Sequence, residues 1–270
     1  MSGFLPVDSL DSPRFCGLAT FMRLPEAQPG ARLDAAILGL PSDSGSPFRT
    51  GARFGPQAVR AMSVMLRPIN PYRGHVNVFK RLAVADAGDA SAVPGYLEES
   101  LERLEASLDA LTSNGVVPIS LGGDHSVSLP ALRAVARRHG PLSLVHFDAH
   151  SDTWRSYFGG KKYSAGTPFR RGAEEGIIDP ASSIQLGMRG SLFRWREVGD
   201  IGWHRASRFA LGRGRKRCSH IWRFAAVLIW RRSLAAGRFM RDRGLAGPAW
   251  VRWAETRRYQ SKVWWHRSWR

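Results

Sequence analysis

Short apolar runs alternate with longer segments of helical period through the first two thirds of the chain, and this pattern constrains the fold more than any other feature. Residues 35–40, 116–121 and 142–147 form runs with the length and composition of buried strands. Between the first two runs, residues 95–114 place leucines at every third or fourth position, which predicts an amphipathic helix ended by Gly115. Strands that alternate with helices favour parallel βαβ units. The sequence therefore predicts an α/β fold built from parallel βαβ units.

Two loops rich in possible metal ligands directly follow two of these predicted strands. The first ligand loop, residues 122–126, reads Gly-Gly-Asp-His-Ser, and its glycines permit a sharp turn that aims His125 over the sheet edge. The second ligand loop, residues 148–152, reads Asp-Ala-His-Ser-Asp. An extended backbone there would project Asp148, His150 and Asp152 to one side. Because the carboxyl ends of parallel strands share one edge of the sheet, we expect the two loops to converge.

The side chains in these loops form a donor set of carboxylates and imidazoles. Such a set suits Mn²⁺ or a similar cation better than an ion that prefers thiolates. We therefore interpret His125, Asp148, His150 and Asp152 as candidate metal ligands. Any one of them alone could equally be a strand-end cap or a turn residue. The occurrence of two such loops, each at a strand end, favours the metal site.

The same two loops resemble the first two metal signatures of the ureohydrolase family, which includes the arginases and agmatinases. Residues 42–60 (SDSGSPFRTGARFGPQAVR), 166–171 and 183–190 resemble further segments of agmatinase-type members. The resemblance implies a three-layer arginase-like fold with a central mostly parallel sheet. It also implies the hydrolysis of a linear guanidino compound to urea and an amine, a place in polyamine metabolism, and a homo-oligomer.

The resemblance further implies a site with two Mn²⁺ ions. Asp148 would bridge both ions, His125 and Asp152 would bind the first, and His150 would bind the second. The nucleophile would be a hydroxide held by the metal, because coordination lowers the pKa of water from about 15.7 towards about 7. No side chain is assigned a catalytic role.

Two departures from the family pattern bear on activity. Family members carry a later Asp-x-Asp-x-x-Asp-Pro signature and a downstream glutamate, whereas the only acids after Asp200 are Asp242 and Glu255. In addition, Ala165 stands where the family usually has a histidine. Fewer anionic ligands leave two cations with too little opposing charge, so we predict that the second ion binds weakly. We accordingly predict little activity from this chain.

The last part of the chain has a different composition. Residues 1–200 hold 22 Lys and Arg against 20 Asp and Glu, whereas residues 201–270 hold 18 against 2 and carry eight of the ten tryptophans. We divide the chain into a ureohydrolase region, 1–192, and an atypical basic region, 193–270, and expect the C-terminal part of the fold to be incomplete or disordered.

A shift of reading frame near Phe193 in a G+C-rich gene explains the composition of the basic region best. The alternatives are nucleic-acid binding through clustered Arg and Trp and a membrane-surface segment around residues 221–234. A catalytically inactive scaffold that binds a partner is the alternative for the whole chain.

Cysteine content and hydropathy indicate the compartment. Cys16 and Cys218 are too few for a disulfide-stapled scaffold. Residues 1–8 contain no basic, apolar leader, and the apolar run at 224–230 is far shorter than the roughly 20 residues of a membrane span. We expect a cytoplasmic protein without a membrane segment.

Overall fold

A computed structural model of the chain describes residues 3–69, 75–188 and 190–192, together with the backbone of 226–230. Six strands lie in these residues: β1 (Ala35–Leu40), β2 (Val84–Asp89), β3 (Val117–Gly122), β4 (Ser143–Phe147), β5 (Ile184–Leu186) and β6 (Ala226–Trp230). Four α-helices accompany them: α1 (Gly55–Ser63), α2 (Leu97–Ser113), α3 (Ser128–His139) and α4 (Pro168–Glu174). Short 3₁₀ turns occur at Phe21–Arg23, Ala52–Phe54, Val78–Lys80, His125–Val127 and Pro180–Ser182.

The strands form two hydrogen-bonded groups of three. In the first, β1 lies between β2 and β3 and is parallel to both. In the second, β4 lies between β5, which is parallel to it, and β6, which is antiparallel. The mostly parallel pairings and the intervening helices confirm the predicted α/β architecture.

The first core lies between the β1 group and the helices α2 and α3. Every residue of β1 is buried, which explains why its sequence is apolar without alternation. Helix α2 buries Leu101, Leu104 and Leu108 on one face, as its leucine spacing predicts. These side chains pack with Leu38 and Leu40 in one cluster, so the strand that precedes the early loop (residues 42–54) is held against both helices.

A second core supports the strand that precedes the second ligand loop. Leu142 and Leu144 pack with Leu132 of α3 and Phe169 of α4, and all four side chains are almost fully buried. Helix α4 begins at Pro168, a position where proline is preformed for the first helical turn. Both α3 and α4 therefore pack against strand β4 and hold it in place.

The arginines near the early loop form ion pairs with buried carboxylates. Arg53 donates from Nε to Asp43 Oδ1 at 2.7 Å, and Asp43 also accepts the backbone N–H of Gly51 at 2.6 Å. The Arg53 hydrogen bond lowers the pKa of Asp43 to about 2, against the opposing effect of burial. Arg60 donates to both oxygens of Asp86 at 2.9 Å. These ion pairs give Arg53 and Arg60 structural roles beside the early loop.

The predictions for the basic region fall almost wholly outside the described residues. This applies to the frame shift, the nucleic-acid segment and the membrane-surface segment, since only the backbone of β6 is described there. Among the described residues, no helix is long and apolar enough to cross a membrane.

Candidate metal centre

The first ligand loop is anchored to the early loop by the main chain. Gly123 donates its N–H to Leu40 O at 3.0 Å, and Asp124 donates its N–H to Ser42 O at 2.8 Å. A Cβ at position 123 would lie 1.9 Å from Ser42 O. The chain does bend at Gly123 and Asp124, but neither Gly122 nor Gly123 has a positive φ, so the bend itself does not require the conformational freedom of glycine. Glycine is needed there because two backbones touch.

A capped 3₁₀ turn then fixes the direction of His125. Asp124 accepts the backbone N–H of Ser126 at 2.8 Å and caps the turn His125–Val127. Burial raises the pKa of Asp124, while its hydrogen bonds from Ser126 and Ser46 oppose that shift. The imidazole of His125 is thereby held next to the second ligand loop, where its ring lies 5.3 Å from that of Phe169.

The second ligand loop is folded rather than extended. Asp148 Oδ1 accepts the backbone N–H groups of Ala149 at 2.5 Å and His150 at 3.0 Å, which bends the chain directly after β4. Asp152 has a positive φ of 50°. The prediction that an extended backbone projects all three ligands to one side is therefore wrong. The side chain of His150 is 64% exposed, against 14% for Asp148.

Four side chains nevertheless converge. His125, His146, Asp148 and Asp152 each offer a donor atom, and these atoms all lie within 4.8 Å of one another. His125 Nδ1 makes a close contact with Asp152 Oδ2 and lies 3.5 Å from Asp148 Oδ2. His146 Nε2 lies 3.4 Å from the same Asp148 oxygen. Two ligands on opposite sides of one ion are about 4–5 Å apart for metal–oxygen bonds of roughly 2.0–2.6 Å, so this spacing suits a single ion.

The structure brings three of the four predicted ligands together and leaves the fourth at the edge of the cluster. His125, Asp148 and Asp152 come together in the cluster. His150 stands at its exposed side, with Nδ1 3.6 Å from Asp148 Oδ1. His146, a residue of β4 that is not among the predicted ligands, joins the cluster and is completely buried.

One sequence signal could have identified His146. It precedes Asp148 by two positions, and side chains at i and i+2 of a strand lie on the same face. Its neighbour Gln185, on β5, gives no comparable signal, because its place depends on which strand pairs with β4. In the structure Gln185 is the register partner of His146.

The charges of the cluster are strongly coupled. Burial alone would lower the pKa of His125, but the hydrogen bond to Asp152 and the charges of Asp152 and Asp148 raise it overall. Burial would raise the pKa of Asp148, but the adjacent His146 side chain, the hydrogen bond from the His150 N–H and the nearby imidazoles lower it to about 2. Burial lowers the pKa of His146. The low pKa of Asp148 makes it an anion at neutral pH, and the raised pKa of His125 favours the protonated form of that imidazole.

A cation fits this arrangement. Two carboxylates brought together in a mostly buried place need positive charge, and their proximity raises the pKa of His125 and so favours a proton there. A divalent ion could replace that proton, bind the freed Nδ1 and neutralise both carboxylates. Oxygen and imidazole donors suit Mn²⁺ and ions of similar hardness.

Ala165 lies on a loop that is tied to the same region. It donates its N–H to Gly45 O at 2.8 Å, while Ser164 and Thr167 hydrogen-bond to each other across the turn. Its methyl group can neither donate nor accept a proton. This loop, the early loop and the first ligand loop are thus joined by hydrogen bonds around the cluster.

Comparison with known proteins shows similarity to one family of enzymes. The sequence profile described as "Arginase family" matches residues 33–210. A guanidinopropionase from Pseudomonas aeruginosa is 44% identical over 188 residues, which are 70% of this chain and 58% of that protein. A mitochondrial agmatinase from Gallus gallus is 46% identical over 177 residues, 66% of this chain and 52% of that protein.

A solved structure shares the fold. Proclavaminate amidino hydrolase from Streptomyces clavuligerus superposes with a TM-score of 0.63 at 41% identity, and the match covers 68% of this chain and 60% of that one. The chain thus spans little more than half the length of these relatives.

Proposed function

The chain belongs to the arginase family, and from this we propose that its activity is the metal-dependent hydrolysis of a linear guanidino compound to urea and an amine. The observation that carries the proposal is the convergence of His125, Asp148 and Asp152 from two strand-end loops. The family match and the names of the relatives support the substrate class. Agmatine and guanidinobutyrate are the substrates to test first, since the named relatives include enzymes for both guanidino amines and guanidino acids.

We propose Mn²⁺ as the metal, held by His125 Nδ1 and by the carboxylates of Asp148 and Asp152. When bound, a divalent ion activates water at neutral pH. The protein's own contribution is to hold the three donors in place. Asp148 is held by two backbone N–H groups, and His125 by the capped turn at Asp124. The anionic carboxylates also attract a cationic guanidinium.

A second ion would have a poorer site. His150 is the ligand that the family resemblance assigns to it, and this side chain is largely exposed. Because packing does not preorganise a largely exposed ligand, we expect the second ion to bind weakly and the turnover of this chain to be low.

Ala165 favours a second function, that of an inactive scaffold that binds a guanidino ligand without hydrolysing it. A missing general acid or base commonly costs about 10²–10⁴ in rate. The substitution lies inside the part of the chain that matches the family, so a change of reading frame further downstream does not account for it.

Urea release by the purified 270-residue chain with added Mn²⁺ tests the proposal, with agmatine and guanidinobutyrate in parallel and Asp148→Asn as the control. Release that depends on Mn²⁺ and is lost in the control supports hydrolysis. Ligand binding without urea, in the parent and in Ala165→His alike, would support the scaffold and count against the enzyme. A homo-oligomeric state, checked by light scattering, and a cytoplasmic location belong to the same proposal.

The boundary at residue 192 is a proposal of its own. Translation of the gene in the other two frames downstream of codon 193 tests it. An Asp-x-Asp-x-x-Asp-Pro segment in another frame would support the frame shift. The absence of such a segment in every frame would favour the basic region as an evolved part of the protein.

A further inference from the structure

We propose that His146 is a positioning residue rather than a metal ligand, and that Gln185 fixes its tautomer so that the Nε2 proton faces Asp148. The proposal rests on the proposed function only in that Asp148 is taken to bind the metal. Both residues are at most 1% exposed, and they face each other across the parallel pair of β4 and β5.

The orientation of the Gln185 amide is set by the main chain. Its Nε2 donates to Ser151 O at 2.7 Å. With the amide turned over, its oxygen would face that carbonyl oxygen at the same distance, and two acceptors would repel each other. Ser151 therefore identifies which end of the amide is nitrogen, an assignment that heavy-atom positions alone leave open.

The same nitrogen determines the tautomer of His146. Gln185 Nε2 lies 3.0 Å from His146 Nδ1, and its second hydrogen is available for that contact. His146 Nδ1 must then accept, because a proton on it would oppose the amide proton. In a neutral imidazole the proton is left on Nε2.

The Nε2 proton faces the carboxylate of the proposed metal site. His146 Nε2 makes no hydrogen bond of good geometry, but Asp148 Oδ2 is 3.4 Å away. The other oxygen of Asp148 is occupied by the N–H groups of Ala149 and His150. The Oδ2 atom is therefore the one available to an ion, and a small rotation brings the imidazole N–H into donating distance of it. The ring of Phe169, 4.5 Å away, packs against the imidazole.

A ligand role for His146 requires the opposite tautomer. To bind an ion, Nε2 would have to lose its proton, and Nδ1 would carry it towards the Gln185 amide. His125 faces the carboxylates without such a constraint. The two histidines of the cluster thus have different roles, His125 as the imidazole ligand and His146 as the outer partner of a ligand, a type of contact that holds metal-binding carboxylates in other proteins.

The tautomer can be read directly in the metal-free chain. Selective ¹⁵N labelling of histidine and long-range ¹H–¹⁵N correlation spectra distinguish a protonated Nε2 from a protonated Nδ1, and His146→Gln identifies the signal. We expect a protonated Nε2 on His146 in the parent. A protonated Nδ1 in the parent would overturn the proposal. This test does not depend on catalysis, so its result is separate from that of the proposed function.

Metal affinity provides the second test. The amide N–H of His146→Gln can replace the imidazole donor, whereas His146→Leu cannot. We expect His146→Leu to weaken Mn²⁺ binding about 10–100-fold, the usual cost of losing an outer partner, and His146→Gln to stay within a few-fold of the parent. His139→Leu, at the end of α3, controls for loss of an arbitrary histidine.

Electron spin-echo spectra of bound Mn²⁺ separate a ligand from an outer partner. The depth of modulation from directly bound imidazole nitrogen should be the same in His146→Gln as in the parent, because His125 alone supplies it. Equal affinities of His146→Leu and His146→Gln, or a reduced imidazole modulation in His146→Gln, would overturn the proposal.

Discussion

The contact between the first ligand loop and the early loop predicts a large effect for a very small substitution, Gly123→Ala. The added Cβ would lie 1.9 Å from Ser42 O and under 3 Å from two further backbone atoms of Ser42. A comfortable C···O contact is about 3.3 Å, so the two main chains must separate by roughly 1.4 Å. No flexible side chain can absorb this movement.

The cost has two parts. Overpacking of this kind costs about 1–3 kcal/mol. The backbone hydrogen bonds from Gly123 to Leu40 and from Asp124 to Ser42 are strained as well, each worth about 1 kcal/mol. We expect a loss of about 3 kcal/mol in the free energy of unfolding and a fall of roughly 6–12 °C in Tm.

The neighbouring substitution Gly122→Ala is the matched control. Its Cβ would meet only the Val127 Cγ2 methyl, at 3.3 Å, so we expect a change below about 1 kcal/mol. Urea denaturation followed by circular dichroism measures both variants, and Mn²⁺ titration shows whether His125 has moved. Equal stabilities of the two variants, within about 0.5 kcal/mol, would refute the reasoning.

Three further predictions concern the stability and charge of the fold. Asp43→Asn should destabilise the chain near pH 7. Because the pKa of Asp43 is lowered, its stabilisation is complete above the ordinary value of 3.8 and is lost as pH falls through about 2, so the effect of the substitution should disappear only below about pH 2; denaturation as a function of pH checks this. Mn²⁺ affinity should fall as pH decreases through the raised pKa of His125, with proton release on binding, which calorimetry in buffers of different ionisation enthalpy measures. Leu104→Ala should cost about 2–5 kcal/mol, because the side chain is fully buried, whereas Leu10→Ala, at an 82% exposed position, should change urea stability by under about 0.5 kcal/mol.

Strand positions were predictable where the sequence carries an apolar run, and not where a strand forms through pairing with a neighbour. The first apolar run coincides with β1, Ala35–Leu40, because that strand is covered on both faces. Strand β2, Val84–Asp89, has no comparable run, and it forms because it pairs with β1. The leucine spacing of α2 predicted that helix to within a few residues at each end.

Some residues of the site were predictable from the sequence, and others were not. His125, Asp148 and Asp152 stand at strand ends, where parallel topology brings side chains together. The position of His150 was not predictable, because Asp148 accepts two local N–H groups and bends the loop. The contact between His146 and Gln185 depends on the register of two strands 39 residues apart, which local sequence does not encode.

The donors of the metal cluster come from opposite halves of the described sheet structure. His125 follows β3, whereas Asp148 and Asp152 follow β4, and among the described strands no hydrogen-bonded pairing joins β3 to β4. An ion bound by these donors would link the two groups of strands, in addition to the contacts between helices and loops in the described part of the chain. Its binding free energy would then add to the resistance of the whole domain to unfolding. Removal of the metal should weaken the packing between the two groups of strands before it destabilises either group. The metal would then stabilise the fold in addition to its chemical role.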